Sequence, residues 1–109
     1  MQDLYIEMQN KRKELNRAIK EAKERGESMA MAEKEYRIAL AKEMLIQRDN
    51  KVPVTIISDI CRGKENIAKL KFNRDTAEVL YKSANERIQA TKLEMRIIEN
   101  QMEAERRGE

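Results

Sequence analysis

The chain has 109 residues, 39% of them charged and 4% aromatic, with a formal net charge of +3 and a pI near 9.0. That is material for one domain with a narrow apolar stripe, not for two domains or a thick globular core. Histidine is absent and Cys61 is the only cysteine; histidine acid–base chemistry, histidine metal ligation and an internal disulfide are therefore excluded within this chain.

The first predicted element begins near residue 3. Alternating steps of four and three from Leu4 give two interleaved series. One is Leu4, Lys11, Ala18, Arg25, Ala32, Ala39, Ile46; the other is Met8, Leu15, Ala22, Met29, Tyr36, Glu43. Most of these positions are apolar or small, which is the seam pattern along which helices pack. Gly26 could stop a first helix, with Ser28 capping a second. The seam nevertheless keeps its phase through Gly26, which favours one helix over about 3–50, continuous or gently bent. A glycine inside a helix costs ~1 kcal/mol against alanine, which a long packed helix can absorb.

The next stretch, VPVTIISDICRG, is the densest apolar cluster in the chain. Asn50 and Lys51 are expected to end the first helix, and Pro53 forbids its continuation. Thr55 is read as the N-cap of a short helix, Ile56 to Arg62, with Gly63 as its stop. Ile56, Ile57, Ile60 and Cys61 are placed on one side of it. They could plug the open end of a helix pair, or form a docking surface, or divide between the two roles. Cys61 is read as a small buried group rather than a nucleophile.

From Ile67 the seam rule gives Ile67, Leu70, Arg74, Ala77, Tyr81, Ala84, Ile88, Thr91, Met95, Ile98 and Met102. Only Arg74 and Thr91 break it, and no Gly or Pro interrupts 64–106. One helix over about 64–106 follows. The expected fold is therefore all-α and a single domain over 1–109: a long antiparallel helical hairpin with a short helical connector at its tip. A second apolar row (Ile19, Ile38, Leu40, Met44, Leu45, Val79, Leu80, Leu93, Ile97) points to dimerisation into a four-helix bundle, since a lone two-helix hairpin buries little. A break at Gly26, giving a three-helix bundle, is the alternative.

A helix-turn-helix with Gly63 as the turn needs buried apolar groups four before and six after it; Asp59 and Lys69 stand there, and the motif is set aside. Basic residues concentrate at Lys11, Arg12 and Lys13, and again at Arg62, Lys64, Lys69, Lys71 and Arg74. They could hold phosphates, although Phe72 is the only aromatic in the second window and helix-spaced ion pairs such as Glu14–Arg17 and Glu33–Arg37 favour a solvated face. No serine or cysteine sits beside an evident base, and neither a phosphate loop nor a metal-ligand cluster is present, so no enzyme and no cofactor is expected. No apolar run approaches a membrane span, and MQDLYIEMQNKRK lacks a signal-peptide core. A reducing intracellular location is expected, with no membrane partner.

The run PVTIISDICRG, followed by IAKLK and RDTAEVLYKSANE, resembles small uncharacterised helical proteins encoded by temperate phages and prophages of Gram-positive bacteria. LYIEMQNKRKELNRAIKE and AEKEYRIALAKE fit the same likeness, which spans nearly the whole chain. It implies the cytoplasm of a bacterial host and a place among early, replication- or recombination-region products. It also implies action by binding, including the blocking of host defences such as CRISPR nucleases. The first expectation is a non-enzymatic protein-binding module, an inhibitor or adaptor of a host or phage protein, contacting its partner through Ile56, Ile57, Asp59, Arg62 and Lys64 and acting as a homodimer. The alternative is a nucleic-acid accessory using Lys11, Arg12, Lys13, Lys64, Lys69, Lys71 and Arg74.

Overall fold

A computed structural model describes residues 1–108. Three helices make up the fold: α1 (Gln2–Asp49), α2 (Val54–Arg62) and α3 (Glu65–Arg106), with no strand among the described residues. The all-α class, the two long helices and the short helical connector all match the expectation from sequence. α1 runs unbroken through Gly26, so the break required for a three-helix bundle does not occur. Asp3 and Glu65 stand in the first turns of α1 and α3, Arg48 and Arg106 in their last turns. Each charge opposes the helix dipole at its end.

The chain divides into two compact units. The first comprises Met1–Glu24 with Tyr81–Glu109. Met8, Ala18 and Ala22 of α1 are buried here, as are Ala84, Thr91 and Ile98 of α3. All six are seam positions from the sequence pattern. The Thr91 hydroxyl donates to the Arg87 carbonyl at 2.9 Å, so a polar side chain occupies the seam without leaving a bare donor. Lys11 bridges to Glu94, and Arg87 reaches Glu21 at 3.6 Å. Ten residues forward along α1, from Lys11 to Glu21, correspond to a step back along α3 from Glu94 to Arg87: the helices are antiparallel.

The second unit is Arg25–Leu80. It buries Tyr36, Ile57, Cys61 and Ile67, with Cys61 and Ile67 at 0% exposure. Glu33 meets Arg74 at 3.3 Å and Glu43 meets Lys64 at 3.8 Å. An advance of ten along α1 (33 to 43) is matched by a retreat of ten from Arg74 of α3 to Lys64 just before its start, again antiparallel. Near the end of α1 the seam departs from the heptad rule. Ile46 is 52% exposed and Gln47 is 8% exposed. A straight α-helix drifts ~20° per heptad against a strict 3.5-residue repeat, and the drift brings position 47 inward. Gln47 keeps its amide satisfied by donating to Glu43 at 2.9 Å.

Candidate functional site

The connector is positioned by the way α1 stops. Lys51 adopts φ 63, the left-handed conformation. The Val52 N–H donates to the Gln47 carbonyl at 3.1 Å, and the Lys51 N–H to the Arg48 carbonyl at 3.0 Å. These are the paired six-to-one and five-to-two bonds of a Schellman stop. Pro53 follows and acts as the N-cap of α2, with no side-chain capping bond. Thr55 is therefore not the cap: α2 begins at Val54, two residues earlier than its sequence suggests, because the fixed φ of Pro53 already sets the entry. Gly63 closes α2 as expected, but at φ −83 and ψ −8, a conformation open to any residue.

The apolar residues of α2 do not share one side. Ile57 and Cys61, four apart, face inward at 7% and 0% exposure. Ile56 and Ile60 form the neighbouring row, rotated by ~100° per residue, and are 44% and 37% exposed. Val54 is 82% exposed. Of the candidate contact residues Ile57 is therefore largely covered, whereas Ile56, Asp59, Arg62 and Lys64 are exposed. Ile60, expected on the same side as Ile57 and Cys61, joins the outer row. The signal was its i, i+4 spacing from Ile56.

Two grooves border this region. One, of about 610 Å³, is lined by Ala41, Met44, Leu45 and Arg48 of α1 and by Val54 and Ile57 of α2. The other, of about 570 Å³, brings Arg62, Lys71 and Arg74 together with Arg37 over Leu40 and Met44. Arg62, expected at a protein contact, and Lys71 and Arg74, expected toward nucleic acid, line one groove.

Most of the basic candidates are matched by carboxylates. Arg74 contacts Asp75 at 3.0 Å and Glu33 at 3.3 Å, and lies 4.7 Å from the centroid of the Tyr36 ring. Arg37 holds Glu33 at 2.6 Å, and Lys71 holds Asp75 at 3.0 Å. The Arg37 hydrogen bond, with the nearby Arg74 charge, holds the Glu33 carboxyl below its usual range, and Lys71 followed by Arg74 does the same for Asp75. The Asp75 hydrogen bond raises Arg74. Lys11 is raised by its bonds to Glu94 and Glu14. Lys64 is tied to Glu43. Arg12, Lys13 and Lys69 are exposed. The expected Glu33–Arg37 pair is present, while Glu14 bonds Lys11 at 3.2 Å rather than Arg17. Of the seven basic candidates, Lys11, Lys64, Lys71 and Arg74 therefore meet carboxylates.

Among the described residues no helix is long and apolar enough to cross a membrane, and no group of three potential ligands is placed to hold a metal ion. No family model, curated protein or solved structure matches the chain.

Proposed function

We propose that the protein is a non-enzymatic binding module, an inhibitor or adaptor whose partner is another protein. The observation that carries this reading is the division of α2: two inward residues close the unit, yet Val54, Ile56 and Ile60 remain in water. Exposed apolar side chains that lie together within a polar surround are the kind of patch a partner covers. The contact is centred on Ile56 and Ile60, with Asp59, Arg62 and Lys64 as its charged surround. It fits a partner that offers an apolar cleft edged by both signs of charge. The resemblance to phage-encoded helical proteins supports a host or phage protein as that partner, with an anti-defence role among the options.

Nucleic-acid binding has less support. Paired cations release fewer counterions from a phosphate backbone than free ones do, and four of the seven candidates are paired.

The test is a nuclease-treated pull-down from host and phage-infected lysate, comparing the native chain with Ile56→Asp/Ile60→Asp. One protein retained by the native chain and lost with the variant, at unchanged helicity, is the expected result. Capture that ignores the substitutions, or only nuclease-sensitive material, would sink the proposal.

A further inference from the structure

A second apolar row lies on α1, on the face opposite its seam. Met31, Ile38 and Leu45 recur every seven residues, and Lys34, Ala41 and Arg48 each follow three later. At ~100° per residue this stripe stands across the helix from Tyr36, Glu43 and Gln47, the groups turned toward the seam. It is in water: Met31 is 55%, Ile38 46% and Leu45 61% exposed, and Lys34, Ala41 and Arg48 are exposed as well. All of these positions belong to the Arg25–Leu80 unit. Three large apolar side chains in line on the face opposite the seam form a strip that a second helix can cover.

We infer that the stripe is covered by the same stripe of a second copy, with the two α1 helices antiparallel. The charges beside it select this occupant and this direction. Glu35 and Lys42 flank the stripe on one side, Arg37 on the other. In an antiparallel pair like flanks meet. With Ile38 packed on Ala41 of the other copy, Glu35 of each chain comes beside Lys42 of its mate, so two-fold symmetry forms the attraction twice. A parallel pair would bring Lys42 against Arg37 and stack Lys34 on its own copy; both contacts repel. In the antiparallel register Lys34 lies along Leu45 and one layer from Arg48 of the other copy; its aliphatic stem covers apolar surface while its amine turns out to water, away from that like charge.

The ends of the stripe fit as well. The register brings Met31 of one copy level with Arg48 of the other. That is the mouth of the groove formed by Leu45, Arg48 and Val54. A flexible thioether suits such an irregular apolar gap. Ile56 and Ile60 do not line this groove, so the contact does not draw on the proposed docking face.

Sedimentation equilibrium of the full chain over the micromolar range tests the inference. The expected mass is twice 12.8 kDa. Ile38→Glu/Leu45→Glu should return it to 12.8 kDa at native helicity, and Ile38→Ser/Leu45→Ser should do the same if the glutamates disturb the helix. Glu35→Lys and Lys42→Glu should each weaken association, and the double exchange Glu35→Lys/Lys42→Glu should restore it. A monomer throughout the range overturns the inference, as does a dimer indifferent to positions 38 and 45. A double exchange that fails to restore association overturns the antiparallel pairing. Ile56→Asp/Ile60→Asp should leave the dimer intact, so loss of partner binding and loss of self-association are read separately.

Discussion

Arg74 lies over the ring of Tyr36, 4.7 Å from its centroid, and the same guanidinium reaches Glu33 one turn earlier on α1. A charged residue at a seam position thus becomes a cross-helix contact. Tyr36 is 5% exposed, so one side of the cation–π contact is removed from water. Such contacts are worth ~0.5–1 kcal/mol where the cation is partly solvated. Arg74→Ala should lower unfolding free energy by about 1–2 kcal/mol, including the lost stem packing. Arg74→Lys should recover only part of it. Urea denaturation of both variants and of Tyr36→Leu, combined in a double-mutant cycle, reads the coupling; a coupling of zero would show the stacking to be inert.

The seam itself was legible in the sequence because it is periodic. Met8, Ala18, Ala22, Tyr36, Ile67, Ala84, Thr91 and Ile98 are all buried where alternating steps of three and four placed them. What the pattern could not carry is which residue of α1 faces which of α3, so Arg74 counted as a defect until its partner was visible. Ile46 and Gln47 exchanged places because drift accumulates along a long straight helix. On α2 the rows 56/60 and 57/61 were merged because a shift of one residue in a nine-residue helix moves a side chain from contact to solvent.

Acid should weaken the second unit through the same cluster. Glu33 and Asp75 both have folded carboxyl pKa values held below the ordinary range. Their contribution is therefore present above about pH 4 and lost as the pH falls through the folded values. Denaturation midpoints taken from neutral pH down to about pH 3 should decline. Glu33→Gln/Asp75→Asn should be weaker at neutral pH and should decline less. Lys11 shifts the other way: its pKa is raised, so its contribution holds below the ordinary lysine value and is lost as the pH climbs through the folded one.

Two backbone positions carry the residues one would exchange. Lys51 holds a left-handed φ of 63, which costs an L-residue roughly 1–2 kcal/mol and glycine little. Gly63 holds φ −83, and a Cβ there would meet only the Asp59 and Ile60 carbonyls at 3.5 and 3.6 Å, ordinary contact. Lys51→Gly should stabilise by about 1 kcal/mol, and Gly63→Ala by about 0.4–1 kcal/mol. Thermal melts of the two single variants decide it; a lowered midpoint in either would contradict the assigned geometry.

Burial separates the isoleucines. Ile67→Ala, at 0% exposure, should cost about 2–5 kcal/mol. Ile57→Ala should fall toward the lower part of that range. Ile56→Ala, at 44% exposure, should cost clearly less than either, which is what allows it to serve as a binding probe. Guanidinium titrations of the three variants give the order directly.

Cys61 provides a reporter without any substitution. Its thiol is fully shielded, so a disulfide reagent should modify it only when α2 opens. Native labelling should be far slower than labelling in denaturant, and Ile57→Ala should accelerate it. Labelling at the unfolded rate under native conditions would show that α2 does not stay packed.

The antiparallel register also orders assembly in time. Glu43 and Lys64 are near neighbours along the chain, whereas Lys11 and Glu94 are separated by most of it. Closing a short loop loses less chain entropy than closing a long one. Pairing is therefore expected to nucleate beside the connector and to spread toward the termini, each contact shortening the loop left for the next. The reverse path frays from the termini inward, so amide protons of the Arg25–Leu80 unit should exchange last.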